Sequence, residues 1–99
     1  YCVKIYIAGP IDVYKQVCRE YTYEIGLCVN LIETDYIYTG GSETGVIIEL
    51  INYPRFTDSK ENIWNKAYKL AEKLIEKGCQ SSFTMSDNQK SQYYTRRVK

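Results

Sequence analysis

The sequence predicts an α+β domain in which two helices pack on one face of a mixed, mainly antiparallel sheet. Three observations predict this class. The 99 residues suffice for one domain, the strand-like and helix-like segments follow in the order β-α-β-β-α-β-β, and hairpin turns separate the two helices. The first strand-helix-strand unit could also be a crossover that places two strands parallel.

The chain begins with a strand-like run from Cys2 to Gly9 that is rich in β-branched and aromatic residues. Gly9 and Pro10 break this run, and an amphipathic helix is predicted to follow and to end at Gly26. Charged residues lie between apolar positions that recur every four residues. These apolar positions are Val13, Val17, Tyr21 and Ile25.

Two further strands are predicted around a turn cluster with the sequence GGSETG. The first of them places Leu27, Val29 and Leu31 on one face. The second is apolar on both faces and therefore needs two cover layers, one from the helices and one that a second subunit could supply. Its apolar residues are Val46, Ile48 and Leu50 on one face and Ile47 and Ile51 on the other.

A second helix is predicted from the neighbourhood of Asp58 to Gly78, with Asp58 or Ser59 as its N-cap and Glu61 completing a capping box in the first case. Charged residues fill the solvated side of this helix, which lies opposite its apolar stripe. The segments CQSSFTMS and SQYYTRRV are predicted as two short strands around the hairpin turn DNQK. The apolar stripe of the helix comprises Ile63, Trp64, Ala67, Leu70, Ala71, Leu74 and Ile75.

Composition narrows the partners of this chain. Thirteen basic against twelve acidic residues argue against an extended nucleic acid as ligand. No run of eighteen apolar residues exists, which argues against a membrane span, and the first residues lack the pattern of a signal peptide. These features predict a cytoplasmic protein, which the family resemblance given below would place in an infected bacterial host.

The chain contains no His and four scattered Cys, which limits its chemistry. Without His, Ser-His and Cys-His nucleophile pairs are ruled out. A zinc site would have to bring all four thiols together, and a disulfide framework lacks a secretion signal. We therefore predict no metal and no cofactor, with reduced and mostly buried thiols at Cys2, Cys18, Cys28 and Cys79.

The stretch NYPRF combines a fixed bend at Pro54 with Arg55 and Phe56. The guanidinium could grip a phosphate and the ring could stack on a base. Alternatively, Phe56 is a hydrophobic staple for the following helix, and the stretch is an ordinary strand-to-helix corner.

Two other stretches carry candidate ligand-binding residues. Tyr38 precedes a Gly pair that could let backbone amides approach a phosphate or could simply close a hairpin. Phe83, Asn88, Arg96 and Arg97 surround or follow the late hairpin, and consecutive arginines on a strand face opposite sides. Eleven Tyr residues add rigid rings that suit interfaces and stacking pockets, although Tyr also simply suits strands.

The order of IYIAG, KQVCREY, GLCV, DYIYTGG, INYPRF, SFT and a terminal RR resembles the phage anti-Thoeris family of the first-described type. The resemblance implies a non-enzymatic, homo-oligomeric sponge that sequesters a cyclic ADP-ribose-type signal without cleaving it. It also implies that some members hold cyclic oligonucleotides at separate sites.

By this resemblance residues 1–99 form a single small-molecule-binding domain in which Phe83 or Phe56 stacks on the ligand and Asn88 bonds to base or ribose. Arg55, Arg96 and Arg97 would contact phosphate.

Two alternatives stay open. One is a small enzyme acting on a nucleoside or nucleotide, with Asp12, Glu24 or Asp35 as general acid or base. The other is a protein-protein adaptor whose Tyr and Arg residues are hot spots.

Overall fold

The five strands of the chain form one sheet in the order β2-β3-β1-β4-β5. The structure is a computed structural model that describes residues 1–51 and 58–96. The α+β class and the element order predicted from the sequence are confirmed. The elements are β1 (Cys2–Ala8), α1 (Ile11–Ile25), β2 (Asn30–Tyr38), β3 (Gly41–Ile51), α2 (Lys60–Lys77), β4 (Ser82–Ser86) and β5 (Ser91–Thr95).

Each pair of neighbouring strands in this sheet is antiparallel. The predicted crossover is present: β1 and β2 are both antiparallel to β3, which lies between them, so these two strands run parallel without being adjacent. Strand β3 is apolar on both faces, which suits its interior position. The result is the split β-α-β arrangement of ferredoxin-like domains, with β5 added at one edge.

One face of the sheet packs on both helices and forms the core. The alternating residues Val3, Ile5 and Ile7 of β1 are buried there, and their partners on β3 are equally buried. We call this the covered face. The β3 partners are Val46, Ile48 and Leu50.

Helix α1 buries Val17 and Tyr21 as predicted and packs Ile25 against the core, but its N-terminal end differs from the prediction. Val13 is 36 % exposed, whereas the neighbouring Tyr14 is fully buried. The buried positions follow the i, i+3, i+4, i+7 spacing of a helix, which a strict spacing of four misses at the N-terminal end. The helix ends as predicted at Gly26, whose left-handed conformation lets its amide reach the Thr22 carbonyl. The buried residues are Tyr14, Val17, Cys18 and Tyr21.

Tyr14 joins the ends of three segments. Its hydroxyl donates a hydrogen bond of 2.6 Å to the Ala8 carbonyl oxygen at the end of β1. A Cβ atom added at Gly9 would lie 2.4 Å from this hydroxyl, and one added at Gly78, just after α2, would lie 2.5 Å from it. Two glycines therefore make room for one ring.

Helix α2 matches its prediction, and the cap is Ser59. The Ser59 side chain accepts the Asn62 amide at 3.1 Å. Asp58 instead accepts Lys66 Nζ at 2.6 Å and Asn62 Nδ2 at 2.8 Å. The predicted apolar stripe is buried except for Trp64, which is half-buried at its edge.

The predicted turn cluster GGSETG is mostly strand. Tyr38 pairs directly with Gly41, so the turn consists of Thr39 and Gly40. This two-residue connection closes a long hairpin. Of the two roles predicted for the Gly pair, the structure therefore shows the closing of a hairpin.

The opposite face of the sheet is covered by none of the described elements. A cross-strand row runs over it from β5 to β2, and its outer members Tyr93 and Ile32 are 61 % and 44 % exposed. We call it the open face. The row comprises Tyr93, Thr84, Tyr6, Ile47 and Ile32.

The thiols are less buried than predicted. Cys28 and Cys79 are exposed, Cys2 is half-buried, and Cys18 is buried. Residues 1–51 and 58–96 contain no group of three potential His, Cys, Asp or Glu metal ligands. No helix within these ranges has the length and apolar character needed to cross a membrane.

Candidate functional site

The structure brings two of the predicted ligand-binding residues together. Phe83 and Arg96 line a recess of about 100 Å³ beside Tyr68 and Tyr94. Phe83 itself is only 4 % exposed, and its ring lies 4.9 Å from that of Tyr94 at an angle of 21°. In this conformation Phe83 already stacks on a neighbour within the protein.

The other predicted residues lie elsewhere. Asn88 is in the turn between β4 and β5, so the length of β5, about 16 Å, separates it from Arg96. Tyr38 lies on β2 at the opposite edge of the sheet, about 19 Å away by strand spacing. Arg55, Phe56 and Arg97 lie outside the described residues. The binding roles of all seven residues stay predictions.

A cleft of about 370 Å³ lies where the first turns of α2 meet the β4–β5 turn and the start of β1. Its volume is in the range of small-molecule sites. It combines two aromatic rings, two carboxylates, two amides and two ammonium groups, and we call it the Trp64 cleft. Its lining residues are Tyr1, Lys60, Glu61, Trp64, Asn65, Asp87, Gln89 and Lys90.

Hydrogen bonds fix the position of the Asp87 carboxylate in the Trp64 cleft. Its Oδ1 accepts the backbone amides of Gln89 at 2.8 Å and Lys90 at 2.9 Å. Its Oδ2 accepts the Tyr1 hydroxyl at 2.8 Å. The Gln89 amide, followed by the Tyr1 hydroxyl and Lys90, lowers the pKa of Asp87, so this carboxylate stays charged in mildly acidic solution.

Tyr1 shows the converse effect. Partial burial, together with the Asp87 carboxylate, raises the pKa of the Tyr1 hydroxyl to about 12. Tyr1 therefore remains a neutral donor to Asp87 at any physiological pH. The pair fixes the position of one ring and one negative charge at the rim of the Trp64 cleft.

Both aromatic rings of the cleft already carry a cation. Lys90 Nζ lies 4.2 Å from the Trp64 ring centre, and Lys60 Nζ lies 5.6 Å from that of Tyr1. Trp gives the strongest cation–π attraction of the aromatic residues. The cleft can therefore hold an organic cation on an aromatic face beside carboxylates.

A larger groove, of about 670 Å³, runs along the outer surfaces of α1 and α2 and includes Arg96. Its walls are mostly Lys and Glu side chains. Tyr21, the one ring among the described residues that line it, is 5 % exposed and has Lys73 Nζ 6.0 Å from its centre. This groove offers a ligand charge but little aromatic surface, so we regard the Trp64 cleft as the better candidate despite its smaller volume.

A second aromatic and acidic cluster lies at the tip of the β2–β3 hairpin. Tyr36 pairs with Glu43 across the strands, and the Tyr38 hydroxyl is 3.4 Å from Glu43 Oε1. Ile37 between the two tyrosines is 83 % exposed. The cluster has ligand-binding residue types on a projecting surface.

Sequence reasoning did not single out the residues of the Trp64 cleft. Trp64 was assigned to the apolar stripe, Lys60 and Glu61 to the solvated face, and Asp87 and Lys90 to a hairpin turn. Their proximity depends on β4 lying next to β1, which brings the distant turn against α2. One signal was available: the chain's single Trp lies at the edge of its stripe.

Comparison with known proteins adds the fold relationship. No protein-family model and no curated protein matches the sequence. A phage SAM lyase in its apo state shares the fold with a TM-score of 0.75 and 20% identity, over 99% of this chain and 90% of that one. A phage SAM lyase in complex with S-methyl-5'-thioadenosine gives 0.72 and 19%, over 95% and 88%. At these identities the shared property is the fold.

This finding corrects two expectations. The sequence was interpreted as a non-enzymatic sponge that leaves a cyclic ADP-ribose-type signal intact. The solved structures that share its fold over nearly the whole chain are those of a phage enzyme, and one of them holds a nucleoside. The fold shared with this chain is therefore that of an enzyme, which overturns the expectation of a non-enzymatic sponge. This chain therefore resembles a phage protein in its fold.

Proposed function

We propose that this chain is a small enzyme that breaks a carbon–sulfur bond of a sulfonium nucleoside such as S-adenosylmethionine (SAM) and releases methylthioadenosine. The observation that carries the proposal is the fold shared with phage SAM lyase over 99% of this chain and 90% of that one. A single small-molecule-binding domain of this size would need no further domain for such a reaction.

The Trp64 cleft suits the two unusual parts of this substrate. The positively charged sulfonium fits the indole face that Lys90 occupies at 4.2 Å. The flat purine fits the second ring, Tyr1, and the side-chain amides of Asn65 and Gln89 can bond to its edge. The cleft volume of about 370 Å³ suits one ligand of this size.

The reaction discharges the sulfonium. The bond between sulfur and the four-carbon amino-acid chain breaks, its electron pair stays on sulfur, and the neutral thioether of methylthioadenosine results. In one route, an oxygen of the substrate's own carboxylate forms a bond to the carbon that loses sulfur. Alternatively, a base removes a proton from the adjacent carbon and the C–H electrons form a double bond. Both routes balance without an added oxidant or reductant.

The two carboxylates of the cleft suit different parts in this reaction. Asp87 is a weak base because its pKa is lowered by the turn amides and by Tyr1, so it serves as a fixed negative charge near the cation. Glu61 lies in the first turn of α2 and lines the same cleft. Where a base acts, Glu61 is the candidate.

The test is to incubate the purified chain with SAM and to measure methylthioadenosine by liquid chromatography and mass spectrometry. We expect release by the wild type and an approximately tenfold loss of kcat/KM in Trp64→Leu, which removes the cation–π attraction. Trp64→Phe keeps a ring and should retain part of the activity. Lys69→Gln, on the outer side of α2, is the control for a change of charge.

Absence of methylthioadenosine in the wild-type reaction would refute the proposed activity. Activity that survives in Trp64→Leu but is lost in Glu43→Gln would keep the activity and move the site to the tip of the β2–β3 hairpin. Thermal melting of each variant separates loss of the site from loss of the fold.

A homo-oligomer is part of the proposal. The open face exposes Ile32 and Tyr93 at the ends of a row of mainly apolar side chains. A second copy is the occupant that the doubly apolar β3 favours. Sedimentation of the wild type and of Ile47→Glu tests it, since a charge at the centre of that row should dissociate the assembly.

A further inference from the structure

We infer that Lys90 is a built-in placeholder for the substrate cation: its ammonium occupies the Trp64 face when the cleft holds no cation and yields that face to a sulfonium. This inference rests on the proposed function. It makes Lys90 a residue that determines charge specificity and product release. The contact of 4.2 Å between Lys90 Nζ and the indole ring centre is its starting point.

The backbone of Lys90 is fixed while its side chain is free to move. The Lys90 amide donates to Asp87 Oδ1 at 2.9 Å, and its carbonyl accepts the Asp87 amide at 2.9 Å. These bonds pin both ends of the turn. The side chain that reaches Trp64 is exposed and has four rotatable bonds, so leaving the ring costs the cation–π attraction and the electrostatic attraction between the ammonium and Asp87.

The charges around the cleft explain why a cation displaces Lys90. Two ammonium groups, Lys60 and Lys90, balance two carboxylates, Glu61 and Asp87. SAM carries one net positive charge, so its entry with Lys90 in place would leave the cleft positive. Swinging Lys90 into solvent restores the balance and frees the ring in one movement.

The same exchange favours product release. Methylthioadenosine is neutral, and its thioether packs on an indole more weakly than a cation does. Once the carbon–sulfur bond has broken, the Lys90 ammonium regains the advantage at the Trp64 face. Lys90 therefore competes more effectively against the product than against the substrate.

The test uses the neutral product as the probe and the single Trp of the chain as the reporter. Titration of methylthioadenosine is followed by Trp64 fluorescence in the wild type, Lys90→Gln, Lys90→Arg and Lys69→Gln. We expect Lys90→Gln to bind the product about threefold more tightly, because nothing then competes for the ring. Lys90→Arg keeps a cation and should bind as the wild type does.

Lys69→Gln is the matched control because it removes the same charge from α2 outside the Trp64 cleft. Lys69 lines the groove along the outer surfaces of α1 and α2 and is not among the residues that line the Trp64 cleft. This variant should therefore bind methylthioadenosine with wild-type affinity. An equal gain in Lys69→Gln, or no gain in Lys90→Gln, would overturn the inference.

Failure of the proposed function gives a different result. In that case neither the wild type nor any variant binds methylthioadenosine, and the cleft is not a nucleoside site. The ligand-free emission then decides the Lys90 contact by itself. Identical Trp64 spectra in the wild type and Lys90→Gln would exclude an ammonium on the indole and overturn the inference at its first step.

Discussion

The two faces of the sheet carry related side chains but differ completely in what surrounds them. Along β1, Val3, Ile5 and Ile7 point to the helices and are at most 2 % exposed. The intervening Lys4 and Tyr6 lie on the open face and are only half-buried. One face of β1 thus contributes to the packed core, and its other face lies on the open face of the sheet. The hydrophobicity of the side chains alone does not distinguish these two faces.

The largest expected difference between the faces is the cost of a cavity. Ile48→Ala on the covered face should lower the free energy of unfolding by about 3 kcal/mol, because a fully buried side chain leaves a void. Its neighbour Ile47→Ala on the open face should cost less than about 1 kcal/mol in the monomer. Urea denaturation at low protein concentration measures both.

The same pair of variants tests whether a second copy covers the open face. If it does, the cost of Ile47→Ala should rise with protein concentration, because association stabilises only the folded state. A cost of Ile47→Ala that equals that of Ile48→Ala at every concentration would abolish the distinction between the faces.

A smaller difference is expected for two tyrosine hydroxyls. Tyr14→Phe removes a fully buried hydroxyl that bonds to the Ala8 carbonyl at 2.6 Å, and should cost about 1.5 kcal/mol. Tyr6→Phe on the open face loses, among the described residues, a contact of 3.5 Å with the Ser86 hydroxyl and should change stability by about 0.5 kcal/mol at most. Thermal melting of the two variants, compared at the same pH, checks this contrast.

The last effect is absent at neutral pH and is a dependence of stability on alkaline pH. Burial beside the covered face raises the pKa of the Cys18 thiol to about 11, from an ordinary value of 9.0. The unfolded thiol ionises first, so this contribution is complete below about pH 9 and is lost as pH rises toward 11. Cys18→Ala should remove that part of the decline.

Thiol labelling provides the control for the alkaline prediction. Cys28 and Cys79 are exposed and should react with a disulfide reagent in the folded protein, whereas Cys18 should react only on unfolding. Rapid labelling of Cys18 in the folded state would contradict the assigned burial.

Local pattern was sufficient for most of the fold. The stripe and glycine stop of α2 and the hairpin around DNQK depend on neighbours within a few residues, and the structure has them as predicted. The prediction for α1 is wrong only at its N-terminal end, where Val13 and Tyr14 are both compatible with a core. Only the cradle formed by Gly9 and Gly78, distant in sequence, selects Tyr14.

The candidate site could not be predicted in the same way. Tyr1 and Asp87 are separated by 86 positions, and only the pairing of β1 with β4 brings them to 2.8 Å. Charged residues on a helix are usually solvated, so Glu61 and Lys60 gave no local signal. The ligand-binding role predicted for Phe83 stays a prediction, and in the structure its ring stacks on Tyr94.

The ring of Tyr14 has a consequence for which sequences this fold can accept. Gly78 has an ordinary φ of −86°, so only the nearby ring excludes a larger residue there. Gly9 has a φ of +132°, which disfavours other residues even without the ring. Related chains should therefore exchange position 78 in step with a smaller residue at position 14, while position 9 stays glycine. Such paired substitutions would reveal the packing of this ring from sequences alone.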